Sequence, residues 1–169
     1  DIEIHLGLEV EYYPGLFEAL LTLLQPYPIE YFLLGQHYLG DEIGEPYCGA
    51  ATDDPKHLLR YCAQSMEALK TGRFTYFAHP DLIHFTGDEK LYEESMGRLC
   101  QGAKELSVPL EINFLGIWDG RNYPAPRFWK IAGEVGNTVV FGADAHQPDK
   151  VVNPEALCRA EKLVKDYGL

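Results

Sequence analysis

Five short apolar runs, each followed by a stretch with helical periodicity, constrain this chain more than any single motif. The first run alternates, with Ile2, Ile4, Leu6, Leu8, Val10 and Tyr12 on one side and Glu3, His5, Gly7, Glu9 and Glu11 on the other. That is a strand with one core face and one polar face. Pro14-Gly15 ends it, and Leu16 to Leu24 reads as a short helix. Tyr31 to Leu39 is apolar on both faces, as in a parallel strand covered by helices. Residues 40–53 read as a loop over the strand ends, and Asp54-Pro55 opens a helix that runs to Lys70 before Gly72. Phe74 to Ala78 is the third strand, Glu89 to Leu106 the next helix, and Pro109 to Phe114 the fourth strand. Gly116 to Pro126 reads as irregular, Ala125 to Val135 as helix, Thr138 to Gly142 as the fifth strand, and Asn153-Pro154 caps a last helix to Lys165. Strand and helix thus alternate five times without a sequence repeat beneath them, which predicts an α/β fold with a parallel sheet and right-handed crossovers. Barrel and open sheet both fit the pattern, although a barrel gathers the strand ends around one centre more naturally.

Composition narrows the partners. The 169 residues suffice for one core, so a single domain over 1–169 is expected. The formal charge is -12, from 26 acidic against 14 basic side chains, which disfavours nucleic acid and anionic membranes. Divalent cations are a different matter, because their ligands are themselves acidic. No apolar run reaches the length of a membrane span. Cys48, Cys62, Cys100 and Cys158 form no CxxC pair, which suits free thiols in a reducing, cytoplasmic setting. The chain enters its first strand at Asp1 without methionine or cap, as a piece of a longer polypeptide would.

The strand ends carry the chemistry. Glu9, His37, His79 with Asp81, Glu111 with Asn113, and Asp144 with His146 stand one set per βα unit, roughly thirty to forty residues apart. Such folds place their sites at that edge of the sheet. Each residue alone has an ordinary alternative: His37 as a core histidine, Glu9 as the polar face of an exposed strand, Asp81 as a cap. Together they match a divalent-metal centre built from imidazole nitrogen and carboxylate oxygen. Glu9 has the oxygens to bridge two ions, His37 and His79 are natural nitrogen ligands of one, and Asp144 and His146 serve neighbouring ions. Asp81, Glu111 and Asn113 are placed around the ligands as orienting groups. His5 and His57 are read as ordinary residues, and His84 stays open. Several ions imply hydrolysis in which the nucleophile is water deprotonated on the metal rather than a side chain. Phosphate esters suit that chemistry, and Arg121 and Arg127 are candidates to hold phosphate oxygens. No phosphate-cradling or dinucleotide glycine motif and no serine nucleophile elbow is present.

Gly7-Leu8-Glu9-Val10-Glu11-Tyr12, Gly35-Gln36-His37-Tyr38, Ala78-His79-Pro80-Asp81, Leu110-Glu111-Ile112-Asn113 and Gly142-Ala143-Asp144-Ala145-His146 resemble, in order, motifs of the polymerase and histidinol phosphatase (PHP) superfamily, and most closely its histidinol-phosphatase branch. The resemblance implies a distorted (β/α)7 TIM-like barrel, of which this chain holds the last five βα units. It implies two or three divalent ions (Zn, Mn or Fe), with Glu9 bridging and His37, His79, Asp144 and His146 as ligands. It also implies a small phosphate monoester as substrate, here L-histidinol phosphate, cleaved to L-histidinol and phosphate in histidine biosynthesis. The alternatives are a PHP phosphoesterase or nuclease acting on nucleotides or other small phosphoesters, and a non-catalytic PHP scaffold. The chain departs from the family in lacking the opening aspartate-x-histidine-x-histidine strand, so an upstream segment of about eighty residues is expected to complete the site. Ala143 replaces a common serine and Gln36 a common valine, and neither change removes a ligand.

Overall fold

A computed structural model describes residues 2–40, 43–44 and 46–169 of the protein. Asp1 of the expected first strand and Asp41, Glu42 and Glu45 of the expected loop lie outside the described residues. The chain order is β1 (Gly7–Val10), α1 (Phe17–Leu24), β2 (Tyr31–Leu34), α2 (Pro55–Lys70), β3 (Phe74–Phe77), α3 (Glu89–Glu105), β4 (Leu110–Asn113), α4 (Phe114–Asp119), α5 (Pro126–Val135), β5 (Val139–Gly142) and α6 (Pro154–Tyr167), with a 3-10 turn at Pro148–Lys150. The strands form one sheet in the order β1-β2-β3-β4-β5, and every pair is parallel. That order never reverses, so right-handed crossovers leave every helix on the same face. A doubly wound sheet needs a reversal, whereas an arc of a (β/α) barrel does not.

Local chemistry explains the helix starts. Asp54 accepts from Lys56 N–H, Asp88 from Leu91 N–H and Asn153 from Ala156 N–H, each satisfying a donor that the first turn leaves free. Helix α2 packs on α3, α3 on α5, and α6 on both α4 and α5. Tyr61, Phe77, Tyr92, Phe128 and Trp129 fill the space beneath them. The middle strands carry the core, with all four residues of β4 buried.

Two expectations change. Pairing in the first strand is confined to Gly7–Val10, and Ile2 and Ile4 are exposed, because the partner β2 extends only over Tyr31–Leu34. The stretch read as irregular after Phe114 begins with a helix, α4, whose first turn Asn113 caps by accepting from Gly116 N–H. Among the described residues, no helix is long and apolar enough to cross a membrane.

Candidate metal centre

Parallel pairing in register brings the ends of β1 to β5 to one edge, and the candidate ligands come with them. Glu9, in β1, points across β2 to His79, just beyond β3. Its Oε1 lies 2.9 Å from His79 Nε2 and 3.8 Å from His37 Nε2. The ligand atoms of Glu9, His37 and His79 all lie within 4.8 Å of one another. A side chain at Gly35 would collide with the Glu9 carboxylate, so glycine on the neighbouring strand exit is what lets that carboxylate lie across it. Gly142 does the same for Glu111.

Behind the cluster stands a buried polar network. Glu111 accepts from His79 N–H at 3.0 Å and from Asn113 Nδ2 at 3.0 Å. Asn113 Nδ2 also donates to Asp144 Oδ2 at 3.1 Å, and Asp144 Oδ1 is 3.1 Å from His146 Nε2. Asn113 pairs in register with Gly142, which sets Asp144 within its reach as the chain leaves β5. His79 and Asp144 both have positive φ, 33° and 45°, a backbone state that non-glycine residues adopt at a cost and that concentrates at functional sites.

Electrostatics follow the layout. Burial works against charge on Glu9, but the hydrogen bond and charge of His79, with His37 and His146 beyond, hold its pKa below the ordinary value. His79 mirrors it: burial pushes down, while Glu9, Glu111 and Asp144 carry its pKa upward. For Glu111 burial wins and the pKa rises. Two imidazoles and a carboxylate converging in an acid-rich setting are the donor set of a borderline divalent cation. The residues present therefore fit such an ion.

The other expected site residues divide. Asp144 and His146 stand outside the triad and join it through Asn113 and Glu111. Asp81, 1% exposed, accepts from Ala125 N–H at 2.5 Å, just ahead of α5, and burial raises its pKa to about 7. Arg121 bonds Asp119 and the Tyr123 hydroxyl, both at 2.9 Å. The Tyr123 ring lies 5.5 Å from that of His79, and the Arg121 charge reaches Tyr47, so Arg121 borders the centre. The Arg127 guanidinium covers the Tyr92 ring at 3.6 Å, pairs with Glu89 at 2.7 Å and donates to Phe85 O. Arg127 lines a groove between α3 and α5. Two further residues belong to the surround. Tyr47 stacks on His37, centroids 6.2 Å apart, held there because Cys48 bonds His37 O and His84 N–H through its backbone. Glu11 bonds His37 at 2.7 Å; the alternation placed it on the face of Glu9 but gave it no task.

No family model matches the sequence. The chain is 26% identical over 185 aligned positions to a protein of Deinococcus radiodurans named "Probable histidinol-phosphatase", covering 99% of this chain and 66% of that protein. This chain thus spans just under two thirds of that relative's length. Its fold is similar to that of histidinol phosphate phosphatase from Lactococcus lactis, solved with zinc, L-histidinol and phosphate. There the TM-score is 0.73 at 16% identity, over 99% of this chain and 68% of that one. A structure from Listeria monocytogenes, provisionally assigned as a histidinol phosphatase, gives 0.71 at 19% identity, over 93% and 69%.

Proposed function

We propose that the chain is a member of the PHP superfamily, on its histidinol-phosphatase side, and that it is a metal-dependent phosphatase of L-histidinol phosphate. The observation that carries the proposal is the convergence of Glu9, His37 and His79 within 4.8 Å at the carboxyl edge of the sheet. In this reading the protein binds two or three divalent ions of the Zn, Mn or Fe type. Glu9, His37 and His79 hold the first, and Asp144 and His146 serve its neighbours. When bound, the ions supply Lewis acidity and a water acidic enough to react at neutral pH. The chain's own groups do the rest. His79 and His37 present imidazole lone pairs. Glu111 and Asn113 fix the His79 backbone and Asp144 by hydrogen bonds. Arg121, with its fork of donors, grips the phosphate oxygens and orients the ester for in-line attack. Tyr47 and Tyr123 wall the site beside the two histidines and exclude water. Among the described residues the four cysteines form no disulfide, which suits a reducing cytoplasm.

Phosphate release from L-histidinol phosphate, nucleoside monophosphates and a generic aryl phosphate tests this, after chelation and after adding back each ion. Release that depends on the ion, with the highest kcat/KM for L-histidinol phosphate, is expected. A preference for nucleotides would move the substrate assignment, and silence with every ion and ester would leave a non-catalytic module.

A further inference from the structure

We infer that Glu11 is a positioning residue of the centre: its carboxylate orients the His37 ring so that Nε2, not Nδ1, is left to bind an ion. The inference rests on the metal reading above and extends it to a residue outside the ligand set. Glu11 follows β1 directly and lies two residues beyond Glu9, so period-2 geometry sends both carboxylates to the same side. Its Oε1 lies 2.7 Å from His37 Nδ1. Both of its oxygens lie 3.0 Å from the His37 backbone nitrogen. Oε2 also accepts from Gln36 Nε2 at 3.3 Å and Tyr38 N–H at 3.4 Å. One side chain just beyond β1 thus ties down three consecutive residues of the segment leaving β2.

The hydrogen placement follows from what the partners can do. A carboxylate accepts and has nothing to donate. The 2.7 Å contact therefore requires the hydrogen on Nδ1, and a neutral ring then carries its lone pair on Nε2. Nε2 is the nitrogen directed at Glu9 Oε1, 3.8 Å away, beside the ring of His79 at 4.7 Å. Tyr47 stacked on the His37 ring limits its rotation from another side. His79 is held differently. Among the described residues its Nδ1 is buried without a hydrogen-bond partner, and its ring is set by a positive φ and by Glu9. The carboxylate beside His79 is Glu9, itself in the ligand set and at Nε2, whereas His37 meets at Nδ1 a carboxylate from outside that set.

The backbone contacts alone would make Glu11 a loop clamp, so the test must separate clamp from tautomer selector. Glu11→Gln keeps an oxygen for the backbone N–H groups but offers Nδ1 an amide that can donate, which favours the wrong tautomer. In metal-free wild-type protein, nitrogen-15 shifts of His37 are expected to show a pyrrole-type Nδ1 and a pyridine-type Nε2. Glu11→Gln should mix or reverse these shifts and weaken Co²⁺ binding, followed by its visible absorption, by about 10- to 100-fold. Glu11→Asp keeps the charge and the acceptor, and should recover part of that loss. Protonated Nε2 in the metal-free wild type would overturn the inference. So would Co²⁺ affinity of Glu11→Gln equal to that of wild type. If Glu11→Gln does not fold, the wild-type shifts and the Glu11→Asp titration still decide. Wild-type protein that binds no Co²⁺ would instead overturn the metal reading, and this inference with it.

Discussion

The middle of the sheet and its two flanks hold their site residues by different means. At β3 and β4, His79, Glu111 and Asn113 are at most 3% exposed, and each is tied by hydrogen bonds to the next. On the β1–β2 flank the side chains of Glu9 and His37 are 35% and 32% exposed, and on the β5 flank His146 is 75% exposed. Burial at the middle removes competing water, so a few hydrogen bonds fix positions that side-chain entropy would otherwise blur. In the proposed reading, exposure on the flanks leaves room for ions and ester to enter and leave. The arrangement is a rigid anchor with an accessible rim.

The largest effect should come from the anchor. His79→Ala removes a buried donor, and ion affinity measured by titration calorimetry should fall by more than the about 100-fold that losing an orienting partner costs. A loss below about tenfold would place the ion elsewhere. The next contrast sets Asn113 against His146. Asn113→Ala strips a donor from Glu111 and Asp144 and the cap from α4, and should cost about 1–3 kcal/mol in chemical denaturation. His146→Ala, on the rim, should stay within about 0.5 kcal/mol while turnover falls. Equal destabilisation by the two would erase the distinction between anchor and rim. Steady-state kinetics sharpen it further. Arg121→Ala should raise KM for the ester about tenfold, the size of one charge-assisted hydrogen bond, whereas Arg127→Ala should leave KM unchanged. The gentlest probe is thiol labelling. Exposed Cys158 should react first, and Cys62, whose pKa burial raises to about 12, should stay slow at pH 8 because so little of it is thiolate. Rapid labelling of Cys62 would show that α2 opens readily over the core.

What could be read from sequence followed from the range of the forces involved. The five βα units and the caps Asp54 and Asn153 were legible because periodicity and capping are local. The ligand-type residues at the strand ends were legible for the same reason, since each closes an apolar run. Whether the sheet is an arc or doubly wound was not, because that depends on strand order, a non-local property. Helix α4 escaped because Gly116 lies inside it; that glycine is needed where Tyr123 packs against the helix, and propensity reads it as a break. The contact of Arg127 with Tyr92 was not legible, because a one-dimensional pattern cannot tell which side of α5 faces that ring. Glu11 was visible on the face of Glu9, yet its task depends on where His37 comes to rest, which only pairing of β1 with β2 decides.

The left-handed backbone at Asp144 has an evolutionary consequence. Glycine would occupy that conformation without the strain of about 1–3 kcal/mol that a side chain brings. Selection for heat tolerance alone would therefore tolerate glycine at position 144, while selection for the proposed phosphatase activity would keep the aspartate. In a laboratory lineage, drift to glycine there would be an early sign that catalysis was no longer under selection.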